Sequence, residues 1–373
     1  MSNDDRIRVQ GEALKVFCTR VFQKLGVREE DARIAADVVV AADLRGIESH
    51  GTARLRRFYT DKLQEGVIVP TPQFRVLKET FATALMDGGR GLGQPTAYRA
   101  MELAIKKACQ VGAGFVTVCN STHFGIAGYY SMMALESGCI GLSMTNGSPW
   151  VVPTFGRRKM LGTNAISVAV PSGQGRPFVL DMATSTASLG KLEVRERLGR
   201  PIPLGWATDE TGNPTTDPRA VLPGVGGPGA GGLLPLGGAG EEYGGHKGYG
   251  LAMWVEIFSA LLSGARYADQ VDAVGVDGKP LAPNLGHFFA AWRVDAFRPL
   301  DEFQTAMDDL LHRLKSSPKA EGQARIYVAG EKEFEETECR LRDGIPLPKV
   351  VLADLQKLGS ELGVELNTGE PTC

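Results

Sequence analysis

Between residues 80 and 183 the chain alternates short runs of strand character with amphipathic helical runs. That alternation leaves few folds open. FATALMDG (81–88) reads as a strand ending in a turn, 94–111 as a helix, and GFVTV (114–118) as a buried strand. A helix over 126–137 and a strand at CIGLSMTN (139–146) follow, then AISVAVP (165–171) and FVLDMA (178–183). Strands interleaved with helices predict a layered α/β core. The sheet is expected to be mixed, because AISVAVPSGQGRPFVLDMA reads as two strands joined by a Gly/Pro turn. Helical spacing dominates both ends. Leu14, Phe17, Cys18, Val21, Phe22 and Leu25 share one face, 29–45 forms a second helix, and amphipathic helices return after about residue 300. The expected organisation is a helical domain, 1–75 joined by 296–373, around an α/β core of 76–295 that binds cofactor and substrate.

Composition narrows the function classes. The 41 basic and 43 acidic residues leave a net charge of −2 with no basic stripe, so neither nucleic acid nor a membrane is an expected partner. The six cysteines include no C-x-x-C pair, and they fit buried thiols in a reducing compartment. The N-terminus is acidic and then amphipathic, unlike a secretory signal, so a cytoplasmic location is expected. Residues 224–250 hold 13 glycines in 27 positions and run straight into the apolar helix GLAMWVEIFSALL. A glycine-rich loop at a helix N-terminus suits a ligand that must approach backbone amides closely.

The chemistry-bearing residues are few. In RGIESHGTARL (45–55), Gly46 suits a helix C-cap and Ser49 the N-cap of a following helix. On such a helix His50 and Arg54 form an i, i+4 pair, an imidazole to move a proton beside a guanidinium to hold a carboxylate. A capped surface turn is the competing reading. Of the other histidines, His123 and His246 sit in glycine-flanked turns, His287 reads as packed or capping, and His312 as surface. Ser49 and His50, adjacent on a helix, are not expected to face each other as a nucleophilic pair. No G-x-S-x-G elbow and no H-E-x-x-H spacing is present, so no metal site is suggested. GGRGLGQ (88–94) lacks the full dinucleotide fingerprint. The residues alone therefore indicate an α/β enzyme with a His/Arg anion site and several glycine-rich ligand loops, its cofactor unnamed.

Eight segments, in order, resemble the malate/L-lactate dehydrogenase family that lacks a Rossmann fold. They are DLRGIESHGTARL, NSTHFGIAGYY, MTNGSPWVVPTFG, LGTNAISVAVP, LDMATSTASLGKLE, PLGWATDETGNPTTDP, PLGG followed by GGHKGYGLA, and VAGEKEFE. That family includes malate, sulfolactate and ureidoglycolate dehydrogenases and Δ1-piperideine-2-carboxylate reductases. The resemblance implies a homodimer that uses NAD or NADP to interconvert a small 2-oxo acid and its 2-hydroxy acid. It makes His123 or His50 the acid/base group with Ser49 bonded nearby, and Arg54 the carboxylate ligand. Thr163 and Asn164 match substrate-lining positions. Ser148, Asp181, Met182, Ala183, Gly330 and Glu331 match cofactor-contacting ones, and His246 and Lys247 lie in a matching motif.

Two departures stand out. The run 224–232 reads as an insertion, and Arg157, Arg158 and Lys159 stand where the family carries more glycine. If one of those three cations reaches the adenosine ribose, NADPH is preferred; otherwise they form a solvated turn. Lys191 stands where imine-reducing relatives place an acid, which favours an anionic substrate. A cyclic imine reductase and a catalytically silent nucleotide-binding protein are the alternatives to a 2-oxo acid reductase.

Overall fold

The computed structural model describes residues 6–222, 231–272 and 283–367. Most of the glycine run, 224–230, lies outside the described residues, as does Cys373. A helical layer opens the chain. Strand β1 (Arg6–Val9) precedes helices α1 (Gly11–Lys24) and α2 (Glu29–Leu44), and after a set of irregular turns comes the short α3 (Asp61–Gln64). β1 pairs antiparallel with β11 (Ile345–Pro348), which leads into α10 (Lys349–Leu362), so the two ends of the chain share one core. Leu14, Phe17, Val21 and Phe22 of α1 pack there with Leu352, Leu355 and Leu358 of α10. The apolar positions repeat at helical spacing, and burying that stripe is what makes each helix stable.

The core sheet has the strand order β2-β3-β4-β10-β5-β6-β7. Its members are β2 (Arg75–Glu79), β3 (Thr83–Asp87), β4 (Ala113–Ser121), β5 (Cys139–Thr145), β6 (Ala165–Val170), β7 (Phe178–Met182) and β10 (Leu285–Arg293). Only β3 and β4, joined through α4 (Gly93–Val111), are parallel, so the sheet is mixed and the fold is α/β as expected. The surprise is β10, which inserts between β4 and β5 and pairs with both. Gly286 through Ala291 are all buried. A strand covered on both faces has no apolar–polar alternation, so periodicity cannot reveal it.

α4 and α5 (Ala127–Met133) cover one face, with Ala97, Ala100, Met101 and Ala104 against Val116, Val118 and Phe289. The approach is close: a Cβ at Gly114 would lie 2.0 Å from the Ala104 carbonyl oxygen. α7 (Gly245–Glu256) covers the other face through Val255. A third cluster, Val151, Leu161, Leu192, Ile202 and Leu233, joins α6 (Leu189–Arg197) to the small β8–β9 hairpin (Ala207–Thr208 and Pro214–Thr215). α8 (Leu300–Ser316) ties to the turn between β6 and β7 through Asp308, which accepts the amides of Gly173 and Gln174. α9 (Glu331–Asp343) reaches α2, where Arg340 donates to the Asp43 carbonyl at 2.7 Å. No helix among the described residues is long and apolar enough to cross a membrane.

Candidate active site

The continuous helix expected from Ser49 does not form. Glu48–His50 and Thr52–Arg54 are separate 3-10 turns, broken at Gly51 and followed by a wide π turn over Leu55–Thr60. The cause is Asp43, buried at the end of α2. Its carboxylate accepts the Thr52 amide at 2.8 Å and the Thr52 hydroxyl at 2.7 Å, which draws the chain inward. A Cβ at Gly51 would lie 1.7 Å from Asp43 Oδ1, so only glycine passes there. Burial pushes the Asp43 carboxyl up to about 6, held back by the two bonds from Thr52. Off the regular helix, neighbouring side chains do meet. Ser49 Oγ lies 2.9 Å from His50 Nδ1, contrary to the expectation that the pair would diverge.

His123 arrives from the turn after β4, which Asn120 and Gly125 make with φ of 52° and 85°. Its ring stacks on His50 with centroids 5.5 Å apart and meets the edge of Phe58 at 4.8 Å. His123 Nδ1 is 2.8 Å from the hydroxyl of the fully buried Tyr59, with the Gly125 amide at 3.3 Å. Both imidazoles thus have Nδ1 engaged by a hydroxyl, leaving Nε2 as the reactive nitrogen. A neutral imidazole that accepts a proton at Nε2 carries its hydrogen on Nδ1 and donates it to that hydroxyl; in His123 this arrangement competes with the weaker 3.3 Å donation of the Gly125 amide to Nδ1. Burial lowers His50 to about 4, helped by the charge of Arg54. Burial holds His123 well below the ordinary histidine value, with His50, Lys62, His287 and Arg54 adding to the effect. Both rings therefore rest neutral.

Arg54 completes the cluster. Its Nε donates to the Ser49 carbonyl at 3.2 Å, its guanidinium lies 5.5 Å from the Phe58 ring centre, and Nη2 donates to Glu193 of α6 at 2.8 Å. The segment from Asp181 to Glu193 thus runs from the end of β7 across to Arg54. Asp181, half-buried, accepts the Gly128 amide at 2.8 Å at the start of α5, the helix that follows His123. Burial raises Asp181 to about 6, with the Gly128 amide and Arg45 opposing. Met182 ends β7 opposite Ile166, and Ala183 is half-buried beside it.

The other candidate residues take varied positions. The Thr163 carbonyl accepts the amide and hydroxyl of Thr184 at 2.8 and 3.1 Å. Asn164 is buried and donates to the Ala252 carbonyl at 3.0 Å and to Glu256 at 2.6 Å, while its Oδ1 has no partner. Ser148 bonds Asp272 at 2.8 Å. Gly330, with φ of 89°, packs its turn on Val179 of β7, and Glu331 is held by Lys315 at 2.6 Å. His246 and Lys247 are exposed in the first turn of α7.

The cations outside the cluster are mostly engaged elsewhere. Lys191 is exposed, with its ammonium 5.9 Å from the Trp206 ring, although its neighbour Gly190 abuts Arg54. Arg158 pairs with Asp269 at 2.7 Å, and the Lys159 ammonium lies 4.9 Å from the Trp150 ring. His287 is a packed core histidine, with Thr145 and Ser121 hydroxyls at 2.8 and 2.7 Å on its two nitrogens.

Sequence reasoning missed Tyr59, Asp43 and Glu193 as parts of the site. Tyr59 fits the apolar spacing and reads as core. Its one distinguishing signal is chemical: a phenol inside a core needs a partner for its hydroxyl.

Comparison with known proteins fits this geometry. A family profile described as malate/L-lactate dehydrogenase matches residues 9–356. The chain is 47% identical to a malate dehydrogenase of Pyrococcus horikoshii, over 97% of this chain and 98% of that one. It is 41% identical to an L-sulfolactate dehydrogenase of Methanocaldococcus jannaschii, over 93% and 94%. The crystal structure of malate dehydrogenase from Entamoeba histolytica superposes with a TM-score of 0.92 at 40% identity, covering 96% of this chain and 99% of that one. These relatives make the chain a 2-hydroxy acid dehydrogenase, and a half-buried imidazole pair beside an arginine on this sheet fits that class. More narrowly, the chain belongs to the malate/L-lactate dehydrogenase family.

Proposed function

We propose that the protein interconverts a small 2-oxo acid and the matching 2-hydroxy acid, of malate or lactate type, with NAD or NADP as the hydride partner. The observation that carries this reading is the cluster of His50, His123 and Arg54. Two imidazoles kept neutral by desolvation face a guanidinium whose carboxylate partner among the described residues is Glu193. Arg54 takes the substrate carboxylate in its fork, which fixes C2 and its oxygen relative to the rings. In the oxidative direction His123 Nε2 accepts the hydroxyl proton while Nδ1–H stays bonded to Tyr59. In the reductive direction the imidazolium returns that proton to the C2 oxygen.

His123 is favoured over His50 because its turn leads directly into α5. The α5 backbone there holds Asp181 of the segment assigned to the cofactor. His50, bonded to Ser49, sets the field around His123: two cations in contact repel, so only one ring carries a proton at a time.

The residues present fit a dinucleotide. His246 and Lys247 are exposed cationic or polar groups without a polar side-chain partner among the described residues, at the N-terminus of a 12-residue helix, where a pyrophosphate is favoured. Gly147 and Gly250 border open space in which a Cβ would touch nothing within 4 Å. The nicotinamide supplies the hydride acceptor and donor; the chain supplies orientation and the proton. A cyclic imine is disfavoured, since the relatives at 41–47% identity act on hydroxy acids.

The active form is a homodimer. Met253, Trp254, Ile257, Leu261 and Leu262 leave an apolar face exposed along α7 and the turn after it, a surface that a second copy would cover. Sedimentation equilibrium checks this, and a monomer at micromolar concentration would contradict it. Kinetics with oxaloacetate, pyruvate and Δ1-piperideine-2-carboxylate, each with NADH and NADPH, test the activity. Turnover of the imine ahead of both 2-oxo acids would overturn the assignment.

A further inference from the structure

The carboxylate found on Arg54 is the protein's own. Glu193 Oε2 lies 2.8 Å from Arg54 Nη2, and its Oε1 lies 4.0 Å from Arg57 Nη1. Arg56, between them in sequence, turns away to Asp354 and Glu361 of α10. The irregular turns at 52–60 thus aim two of three neighbouring arginines at a single carboxylate. For Arg57 that carboxylate is the only anionic partner among the described residues.

α6 carries Glu193 across the cluster. A Cβ at Gly190 would lie 3.3 Å from Arg54 Nη2 and 3.5 Å from Ser49 Cβ, so the first turn of α6 lies on the cluster itself. The helix is lightly anchored, since Leu192 is the only buried residue of its nine. A substrate carboxylate needs the same fork, and two anions cannot share it.

Building on the assignment of Arg54 as the carboxylate ligand, we infer that Glu193 is an internal stand-in for the substrate's anionic groups, and that Arg57 acts with Arg54 to select dianionic 2-hydroxy acids over monocarboxylates. The charge count supports this. With Glu193 in place, two guanidinium groups face one carboxylate. With Glu193 displaced, two cations face the ligand. A four-carbon dicarboxylate, or a 2-hydroxy acid with a sulfonate at the far end, neutralises both. A monocarboxylate leaves Arg57 unmatched and gains less from displacing Glu193. Arg57 has a side chain 64% exposed, so it is a rim charge that sorts ligands more than it anchors them. Glu193 is a positioning and competing group and takes no part in proton transfer.

The test compares oxaloacetate with pyruvate in the full-length enzyme, using wild type, Arg57→Gln, Glu193→Gln and Arg54→Gln. Arg57→Gln is expected to lower the ratio of kcat/KM for oxaloacetate to that for pyruvate by about tenfold. Glu193→Gln is expected to lower KM for oxaloacetate by about threefold, because the competing anion is gone while the shape is kept. An unchanged ratio in Arg57→Gln overturns the selectivity. A raised KM in Glu193→Gln overturns the stand-in role and makes Glu193 a simple brace for Arg54. Arg54→Gln separates the two levels of the argument. Normal rates on both substrates there would remove the carboxylate site itself, whereas loss on both beside an unmoved Arg57→Gln ratio would sink only this inference.

Discussion

Tyr59→Phe isolates the contact that holds His123. The ring of Tyr59 is wholly buried, and phenylalanine keeps its packing against Phe22 and Phe58. What disappears is the 2.8 Å bond to Nδ1, leaving only the Gly125 amide, which donates to Nδ1 at 3.3 Å and so favours the tautomer with its hydrogen on Nε2. A buried polar group stripped of its partner costs about 1–3 kcal/mol. Part of that cost falls on stability, lowering Tm by about 1–2 °C in a chain of this size. The rest falls on the imidazolium, which needs the Tyr59 oxygen as acceptor. At 1.4 kcal/mol per factor of ten, kcat for hydroxy acid oxidation should fall about 5–30-fold. Losing the acceptor also makes His123 less basic, so the acid limb of the rate profile should move to lower pH. KM for the acid should change little, because Arg54 is braced by Ser49 and Phe58 and does not touch the hydroxyl. The assay is steady-state kinetics across pH in both directions, alongside a thermal melt. A lowered Tm with kcat and pH limb unchanged would show that Tyr59 is structural and that its bond does not orient the reacting ring.

The same geometry makes further predictions. Gly51→Ala should destabilise the fold by about 1–3 kcal/mol or more and abolish activity, since the added methyl would lie 1.7 Å from Asp43 Oδ1; a urea titration checks it, and a wild-type midpoint would refute the constraint. Arg54→Ala should cost about 2–4 kcal/mol in kcat/KM, mostly as a raised KM, and unchanged kinetics with every active 2-oxo acid would exclude the carboxylate role. His50 is lowered to about 4 and His123 well below its usual value, so both stay unprotonated, and able to accept a proton, until the pH falls far under 6.5. The acid limb of kcat/KM for hydroxy acid oxidation should therefore lie below pH 6.5, and a limb at or above 6.5 would contradict neutral resting imidazoles.

Much of this molecule is legible in its sequence, but unevenly. The strands at 83–87, 113–121, 139–145, 165–170 and 178–182 show clear strand character, and α1, α2 and α4 show clean apolar stripes. β10 escapes because a strand buried on both faces looks like any apolar run, and its partners lie more than a hundred residues upstream. The site is legible in composition and obscure in geometry. His50, His123 and Arg54 stand out as chemistry-bearing residues near glycines. The physical reason they meet is not local: a carboxylate in α2 pulls Thr52 inward and breaks the helix that 49–60 would otherwise favour. Glu193 reads as one more charge on a polar helix, and only the path of 181–193 across the sheet edge brings it to Arg54.

The most direct test of the account replaces the proposed proton carrier. Oxidation of reduced nicotinamide by oxaloacetate is followed with wild type and with His123→Gln, after a melt shows both folded. The account predicts turnover by wild type and a loss in kcat of about 10²–10⁴-fold in the variant, with cofactor binding retained. A variant that turns over at the wild-type rate, with its pH profile unmoved, would contradict it.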